Sequence, residues 1–442
     1  MDIKCLIIAA GRGSRLQHRY DSKPLIPILG VPLIERVIRS AMEAGVHEFY
    51  VVTGYNGDRV RDFLNRLSVR LSIRITTLVN DDWEKGNGLS VFTAREHLSE
   101  PFLLLMADHL FDPSLARELL AFTLADGEIA LGVDADTRNP FIVIEEVTRV
   151  KVEDGKISDI GKGLTDFNAL DTGVFLCSSA IFNALERCKE KNGCTTLSRA
   201  VRNLAAEGQA KAIYTSGFWI DVDDSVTFRK AEKALLDNLR NKFNDGPVSR
   251  YLNRPISLRF SRHLAKYNIT PNQISLFSFL CSLLAAGLFA MGGYLALLLG
   301  GVLAQFASII DGSDGEVARL KYQCSDYGGW FDAVLDRYAD AFLLLGLTWH
   351  ILATEANGWI LLTGFMAIIG SFMLSYTADK YDSLMRSRIA AGGRAELRLG
   401  RDVRVFLIFL GAVTNLVLPV LALIAVVTNL ETLRRVIITR DG

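Results

Sequence analysis

The chain has 442 residues, and its 49 lysines and arginines balance its 49 acidic residues, so no overall positive field marks it as a nucleic-acid-binding protein. Its mean hydropathy of +0.24 is high for a soluble protein. The apolar residues are unevenly spread, because residues 1–250 have an ordinary globular composition whereas long apolar runs dominate residues 270–430. This contrast predicts a globular domain followed by a membrane domain.

The first part of the chain alternates strand-like and helical segments. The strand-like runs are "KCLIIAAG", "EFYVVTGY" and "PFLLLMADHLF", and amphipathic helical patterns lie between them. Because the first run follows no basic segment, we expect a buried strand and not a signal peptide. The alternation predicts an α/β, Rossmann-like parallel sheet with helices on both faces, whose sites collect at the carboxyl ends of the strands. The last helix of this domain is predicted from Val226 to about Asn244.

A glycine-rich turn follows the first strand. Gly11 and Gly13 allow a tight turn, and its backbone N–H groups, with Arg15 and Lys23, can cradle a triphosphate. Together with "SRL" and the "KP" pair that follow, this turn resembles those of sugar-phosphate nucleotidyltransferases over residues 1–232.

The resemblance implies roles for further residues of residues 1–232. Ala9, Ala10 and Gly11 would contact the base, and Arg15 and Lys23 would stabilise the α-phosphate in the transition state. Asp108 would hold Mg²⁺ together with a carboxylate of "WIDVDD", for which Asp221 and Asp223 are both candidates. The segment "KGNGLS" would read the base, and Lys162 would lie near the sugar phosphate. The nucleotide-binding candidates are therefore Ala9, Ala10, Gly11, Gly13, Lys85, Gly88 and Ser90.

Residues 233–268 are predicted to join the two domains. Within them, "SRYLNRPISLRFSRHLAKYN" (249–268) mixes basic and apolar residues. This mixture predicts an amphipathic helix on the membrane surface, with a solvated linker as the alternative.

Six apolar segments follow, and they predict an all-α domain of six transmembrane helices over residues 269–442. An even number of spans places both termini on one side. The loops on that side are rich in Lys and Arg, whereas "MGGY", "TEANG" and "TNLVLP" have none. The positive-inside rule therefore predicts a multi-pass protein of the cell membrane with both termini in the cytoplasm. The predicted segments are 273–291, 294–318, 327–352, 358–377, 403–415 and 417–430.

Four aspartates interrupt the second and third segments at helical spacing. Asp311 and Asp314 share one helix face, Asp332 and Asp336 share another, and a short turn makes the two helices antiparallel neighbours. Four carboxylates converging at a membrane boundary need a counter-charge, and oxygen ligands suit Mg²⁺, with Mn²⁺ or Ca²⁺ as alternatives. A proton or ion path through a transporter is the competing interpretation. Asp326, in the turn, is predicted to be a helix cap.

The stretch from Asp311 to Asp336 resembles the signature of the CDP-alcohol phosphotransferase family at each fixed position, and the likeness extends over roughly residues 250–435. "TPNQIS" at the start of the first span is a second family feature. The resemblance implies that Asp311, Asp314 and Asp332 bind metal. Asp336 would be the general base, and it would also touch a second metal. The nucleotide-binding candidates of this domain are Gly315, Ala318, Arg319 and Gly328.

Three further polar residues lie near this signature in the sequence. Asp340 continues the stripe of Asp332 and Asp336 and is interpreted as a helix-packing residue. Arg401 and Arg404 share one face at the start of the fifth span, where they are predicted to bind the phosphate of the acceptor. The alternative is that the arginines of the 386–404 loop serve topology alone.

The order of the two halves suggests consecutive reactions. The arrangement resembles a family of bifunctional enzymes that join an inositol-1-phosphate cytidylyltransferase to a di-myo-inositol-phosphate-phosphate synthase. That resemblance implies that CTP and inositol 1-phosphate give CDP-inositol, whose phosphoinositol group then passes to a second inositol phosphate, releasing CMP and forming a compatible solute. We also expect a homodimer through the membrane domain. The alternatives are phospholipid head-group synthesis from CDP-diacylglycerol and a nucleotide sensor without turnover.

Overall fold

The computed structural model describes residues 3–16, 21–139, 141–192, 195–239, 246–355, 357–392 and 400–440. Inside these ranges, the side chains of residues 14, 191–192, 380–392 and 438–440 are outside the description. The chain forms two compact units, Met1–Leu235 and Leu236–Gly442, and each is described by itself.

The first unit is built on a sheet of nine strands. Two short two-stranded ribbons, β2–β3 and β7–β13, accompany it. The strands are β1 (Lys4–Ala9), β2 (Pro27–Ile28), β3 (Val31–Pro32), β4 (Glu48–Thr53), β5 (Arg74–Val79), β6 (Phe102–Met106), β7 (His109–Phe111), β8 (Ile129–Asp134), β9 (Arg149–Glu153), β10 (Lys156–Gly161), β11 (Ala169–Cys177), β12 (Ala210–Tyr214) and β13 (Trp219–Asp221).

The sheet is mixed, which corrects the prediction of a parallel sheet. Its order is β5-β4-β1-β6-β11-β8-β12-β10-β9. The pairs β1–β4, β1–β6 and β4–β5 are parallel, but β11 is antiparallel to both β6 and β8. The start of β11 therefore lies at the same edge as the carboxyl ends of β1 and β6. An apolar run does not reveal strand direction, so the sequence could not show this reversal.

Helices cover this sheet, and both faces of its central strands are buried. Along β1, Leu6 belongs to a core cluster with Phe102 and Phe175, while Ile7 points to the other face and is also fully buried. Burial on both faces explains why β1 reads as a continuous apolar run. The helices are α1 (Leu33–Glu43), α2 (Gly57–Leu71), α3 (Asn87–Phe92), α4 (Pro113–Leu120), α5 (Ala180–Asn192), α6 (Leu197–Ala206) and α7 (Ser225–Asp237). The described part of α7 ends at Asp237, seven residues before the predicted end, and residues 240–245 lie outside the description.

The second unit is helical. It begins with a short π-helical turn, Ser249–Asn253, that leads directly into α8. Six longer helices follow, in the order of the six predicted segments. The helices are α8 (Arg254–Leu264), α9 (Pro271–Ala290), α10 (Tyr294–Leu320), α11 (Asp326–Leu352), α12 (Gly358–Gly392), α13 (Arg401–Thr414) and α14 (Val417–Arg440).

Local capping explains where two of these helices begin. The Thr270 hydroxyl accepts from the Gln273 N–H, the Gln273 side chain accepts from the Thr270 N–H, and Pro271 fills the first position of α9. At α11 the cap is Ser325, whose hydroxyl accepts from the Gly328 N–H at 3.0 Å. The prediction that Asp326 caps this helix is wrong, because Asp326 is the first residue inside it and its carboxylate complements the helix dipole.

Four of the described helices are long and apolar enough to cross a membrane: α9, α10, residues Gly358–Asp379 of α12 and residues Val417–Ile437 of α14. In α11 the aspartates of the signature lower the hydropathy, and α13 has 14 residues, a length of about 21 Å. The fourth predicted segment ended at residue 377, but α12 runs on through polar turns to Gly392. The predicted basic loop of residues 386–404 therefore begins inside α12, and residues 393–399 lie outside the description.

Candidate active sites

The glycine turn after β1 packs against Lys23. Gly13 has a φ of +61°, and a Cβ there would lie 2.5 Å from the Cβ of Lys23, so a larger residue would displace the lysine. A Cβ at Gly11 would meet nothing within 4 Å, so the turn is open at that point. One cavity of about 320 Å³ brings together seven of the predicted nucleotide and metal residues: Ala9, Gly11, Gly13, Arg15, Lys23, Asp108 and Asp223.

Lys23 lies between two carboxylates. Its ammonium donates to Asp108 Oδ2 at 2.6 Å and also to Asp223 Oδ1, and its side chain is 9% exposed. Burial lowers the pKa of Lys23, but the negative charges of Asp108, Asp221 and Asp223 outweigh burial, and the pKa is raised. Lys23 is therefore a permanent cation at the floor of the cavity.

His109 forms a second charged cluster with Asp108 and Asp221. Its Nε2 lies 3.5 Å from Asp221 Oδ2 and 4.0 Å from Asp108 Oδ1, and its Nδ1 lies 3.1 Å from the carbonyl oxygen of Thr172. Burial lowers the pKa of His109, but the two carboxylates raise it to about 10. Burial raises the pKa of Asp221, but the His109 charge outweighs it and lowers the pKa to about 2. Gly173 makes room for this ring, since a Cβ there would lie 2.1 Å from Nδ1.

The donor set of this cluster fits a divalent metal ion. Ligand atoms of Asp108, His109 and Asp221 all lie within 4.8 Å of one another. Asp221 Oδ1 is buried and has no hydrogen-bond partner among the described residues, although buried carboxylate oxygens are normally satisfied. Asp223 differs, because it is not part of this cluster of possible ligand atoms.

A second cavity of about 340 Å³ lies beside the first and shares Gly11, Asp108 and Asp223 with it. Lys162 lines this second cavity, together with Asp171, which comes from the antiparallel strand β11. Burial raises the pKa of Asp171 to about 6, despite the hydrogen bond of 2.8 Å from the Gly173 N–H. The cavity thus joins a lysine, a carboxyl group and the metal cluster, which suits a phosphorylated polyol.

Only some residues of the "KGNGLS" segment line the second cavity. Ser90 lines it, as do the neighbouring Trp83 and Asn87. The Lys85 side chain is 66% exposed, pairs with Asp82 at 2.8 Å and lies outside the lining. Gly88 also lies outside it, because its N–H donates to the Thr195 carbonyl and a Cβ there would lie 2.5 Å from that oxygen. The structure therefore gives Gly88 a packing role where the sequence predicted a nucleotide contact.

Arg15 lies at the rim of the first cavity. Its Nη1 donates to Glu146 Oε2 at 2.6 Å and lies 3.9 Å from Asp223 Oδ2. Its side chain is 54% exposed, so the guanidinium can turn toward an incoming triphosphate. Glu146, which the sequence did not single out, holds Arg15 beside the second cavity.

The membrane-domain aspartates lie together as the signature predicted. Ligand atoms of Asp311, Asp332 and Asp336 are within 4.8 Å of one another. Asp314 is adjacent and is held by the Ser275 hydroxyl of α9, while the Ser278 hydroxyl donates to Asp311 Oδ1 at 2.9 Å.

The aspartate cluster also fits a divalent metal ion. Asp332 Oδ1 is buried without a hydrogen-bond partner among the described residues, as a ligand oxygen would be. The set is all-oxygen, the chemistry that Mg²⁺ and Mn²⁺ prefer.

Two arginines of α13 approach this cluster in different ways. Arg401 Nη1 lies 2.6 Å from Asp311 Oδ2 and 2.6 Å from Asp336 Oδ1, and its Nε lies 3.2 Å from Asp340 Oδ1. Arg404 is 4% exposed and donates to Asp340 Oδ2 at 2.7 Å and to the Ser375 hydroxyl at 3.2 Å. The structure thus places Arg401 at the cluster and Arg404 behind it, away from an open surface where a phosphate could bind. Asp340 is the buried acceptor that holds both arginines.

The small residues of the signature pack closely against polar side chains along α10 and α11. A Cβ at Gly315 would lie 3.3 Å from Arg319 Nη1, so Arg319 lies over this glycine. A Cβ at Gly328 would lie 3.1 Å from the Ser325 hydroxyl and 3.4 Å from Asn272 Oδ1. Ala318 is buried on the same helix as Arg319. Side chains of this unit therefore already cover these positions, and their contact with a nucleotide stays a prediction.

Several functional side chains were missed by the sequence analysis. His109 directly follows Asp108, and Ser275 and Ser278 are polar residues three apart in an apolar helix, so both signals were visible. Asp171 gave no signal, because only the reversal of β11 brings it to the site.

Comparisons with known proteins match the two units to two families. The family model of the MobA-like NTP transferase domain matches residues 5–208, and that of CDP-alcohol phosphatidyltransferase matches residues 268–438. A protein of Rubrobacter xylanophilus named bifunctional IPC transferase and DIPP synthase is 37% identical over 99% of this chain and 96% of its own. A protein of the same name from Aquifex aeolicus is 31% identical over 98% of this chain and 96% of its own. A solved structure of the inositol-1-phosphate CTP transferase from T. maritima covers 53% of this chain and 96% of its own, with 26% identity and a TM-score of 0.47.

Proposed function

Because the chain belongs to the family of bifunctional IPC transferases and DIPP synthases, we propose that it carries out two consecutive transfers. The first unit transfers a cytidylyl group from CTP to inositol 1-phosphate and releases diphosphate. The second transfers the phosphoinositol group of CDP-inositol to a second inositol phosphate and releases CMP. The observation that carries this proposal is the presence of two separate acidic clusters, one in each unit.

In the first reaction, the phosphate of inositol 1-phosphate attacks the α-phosphorus of CTP, and diphosphate leaves. Lys23 is the buried cation at the turn that receives the triphosphate, so we assign to it the charge that develops on the α-phosphate. Arg15, at the rim, neutralises the departing diphosphate. Lys162 and Asp171 line the neighbouring cavity, where they bind the phosphate and the hydroxyl groups of inositol.

We assign the metal ion of this site to Asp108 and Asp221. The buried, unpaired Asp221 Oδ1 favours this choice over Asp223, which lies outside the cluster of possible ligand atoms. When bound, Mg²⁺ supplies a Lewis acid for the phosphate oxygens.

In the second reaction, an acceptor hydroxyl attacks the phosphorus bound to inositol in CDP-inositol, and CMP leaves. Asp336 is assigned as the general base that takes the hydroxyl proton. Arg401 Nη1 lies 2.6 Å from Asp336 Oδ1 and so fixes the orientation of this carboxylate. Asp311, Asp314 and Asp332 are assigned to Mg²⁺ or Mn²⁺, and Ser275 and Ser278 orient the first two of them.

Arg401 is assigned to the phosphate ester of the acceptor. Its guanidinium contacts both Asp311 and Asp336, so a phosphate held by it lies beside the base. Arg404 pairs with Asp340 at 2.7 Å, and the same carboxylate lies 3.2 Å from Arg401, so Arg404 positions Arg401 through Asp340.

We further propose that α9 to α14 are six spans. The chain then forms a multi-pass protein with both termini in the cytoplasm, and a homodimer through this domain. The π-helical turn exposes Tyr251, and α8 exposes Phe260 beside Arg259 and Arg262, a mixture that suits the membrane surface.

The test is an assay of the purified chain with CTP, Mg²⁺ and a panel of alcohol phosphates, in which diphosphate and CMP are measured separately. With inositol 1-phosphate we expect both products. If CMP appears only when CDP-diacylglycerol is supplied, the chain is a phospholipid head-group synthase. If neither product forms with any alcohol phosphate, the proposed function is wrong.

A further inference from the structure

The inner face of α8 is polar, although it packs inside the helical unit. Arg254, Ser257 and Ser261 are at most 8% exposed, and all three point to one carboxylate on α10, that of Glu316. Glu316 Oε1 accepts from Arg254 Nη1 at 2.7 Å and from the Ser257 hydroxyl at 2.7 Å, and its Oε2 accepts from the Ser261 hydroxyl at 2.6 Å. Glu316 is completely buried, so these bonds replace the water that its charge would otherwise bind.

Glu316 lies opposite the aspartates on α10. At about 100° per residue, it is turned about 140° from Asp311 and about 160° from Asp314. A carboxylate fixed on one side of a helix therefore fixes the direction in which the aspartates on the other side point. A further hydrogen bond holds α8 against α10, because the Ser313 hydroxyl donates to the Ser257 carbonyl at 3.3 Å.

The residues that flank α8 on both sides also form hydrogen bonds with helices that contribute to the aspartate cluster. At its start, the Ser249 N–H donates to Asp402 Oδ2 at 2.8 Å, and Asp402 directly follows Arg401. After its end, Lys321 Nζ, one residue beyond α10, donates to the Ile269 carbonyl at 3.1 Å. The segment thus spans from α13, which contributes Arg401, to α10, which contributes Asp311 and Asp314.

Stability alone does not explain so polar an arrangement. A buried ion pair contributes little net stability, and an apolar pair of the same volume often serves as well or better. Directional hydrogen bonds, however, fix the rotation of a helix about its axis more tightly than apolar contacts do.

We propose that Glu316, with Arg254, Ser257 and Ser261, forms a clamp that sets the rotation of α10 and so positions Asp311 and Asp314 for metal and CDP-alcohol binding. Glu316 is a positioning residue, since it acts through the aspartates and does not touch the substrate. This inference rests on the proposed transfer reaction of the membrane domain.

The first test replaces the charged pair by an apolar one, Arg254→Met with Glu316→Met, which removes both charges of the pair together. We expect the melting temperature to be kept and the kcat of transfer from supplied CDP-inositol to fall by about 10- to 100-fold, the scale of a small misplacement of reacting groups. Cytidylyl transfer by the first unit should be unchanged. Mn²⁺ binding at the aspartate cluster should weaken at least fivefold. It is measured by electron paramagnetic resonance as the part of the bound-Mn²⁺ signal that the Asp332→Asn variant lacks.

A covalent tether gives the matching rescue. A Cβ at Gly312 would lie 3.9 Å from the Cβ of Ser257, within the range that disulfides adopt. In the Met/Met background, Ser257→Cys with Gly312→Cys should regain transfer and Mn²⁺ binding when oxidised and lose both again in dithiothreitol.

The outcomes separate the clamp from the proposed function. A folded Met/Met variant with normal transfer and normal Mn²⁺ binding overturns the clamp. If that variant does not fold, Ser257→Ala with Ser261→Ala takes its place, and unchanged kcat and Mn²⁺ binding in it overturn the clamp equally. If wild-type chain releases no CMP, the proposed function fails, and Mn²⁺ binding alone then decides whether the clamp positions the aspartates.

Discussion

Replacing Lys23 with alanine should stop the first reaction and spare the second. The change removes a 9% exposed ammonium that contacts Asp108 and Asp223 in the first unit, and neither carboxylate belongs to the membrane-domain cluster. Loss of one preorganised donor to a transition-state charge costs about 10²- to 10³-fold in kcat. We therefore expect diphosphate release from CTP and inositol 1-phosphate to fall by this factor, while CMP release from supplied CDP-inositol stays within about twofold of wild type.

The fold of the first unit should survive this change. Asp108 and Asp223 are 30% and 29% exposed, so water can solvate both carboxylates once the lysine is gone, and we expect a melting temperature only a few degrees lower. Lys156→Ala, which changes an exposed lysine on strand β10, is the matched control and should leave both reactions unchanged. An equal loss of both activities in Lys23→Ala would refute the two-site account.

Four further predictions follow from the sites. Asp336→Asn keeps the shape of the base but not its basicity, so transfer should fall about 10²-fold or more while CDP-inositol binding, measured by calorimetry, is kept. Lys85→Ala should leave the KM for CTP within twofold, since its side chain is 66% exposed and pairs with Asp82; a tenfold rise would contradict its placement outside the cavity. Arg401→Ala should raise the KM for the acceptor phosphate at least tenfold, whereas normal kinetics in correctly inserted protein would mean that Arg401 serves topology alone. Folding raises the pKa of His109 to about 10, so its contribution to the free energy of unfolding is present below about pH 6.5 and is lost as the pH rises to 10. His109→Gln should therefore flatten the pH dependence of the first unit's melting temperature, measured by calorimetry. An unchanged slope would contradict the pairing of His109 with Asp108 and Asp221.

Residue spacing predicted the membrane-domain cluster well, because its geometry is local. Asp311 and Asp314 lie on one helix, Asp332 and Asp336 on the next, and a turn of five residues fixes the two helices as neighbours. The boundaries of the helices were less predictable, since polar last turns continue α12 well beyond its apolar part.

The residues that the sequence left out depend on long-range placement. Asp171 reaches the first site because β11 runs antiparallel to β6, and nothing in an apolar strand reports its direction. Glu316 lies inside the signature itself, yet its role depends on α8, about 60 residues earlier in the chain. For Arg404 the sequence predicted too much. Its spacing from Arg401 suggested a shared phosphate site, but Arg404 is buried and pairs with Asp340.

The fate of the CTP phosphorus tests the central claim most directly. The chain is incubated with α-³²P-labelled CTP, Mg²⁺ and unlabelled inositol 1-phosphate, and the labelled products are separated over time. The account predicts that the label appears first in CDP-inositol and then entirely in CMP, with one diphosphate and one CMP formed for every two inositol phosphates consumed. Label retained in the di-inositol product, or CDP-inositol that accumulates without release of CMP, would contradict it.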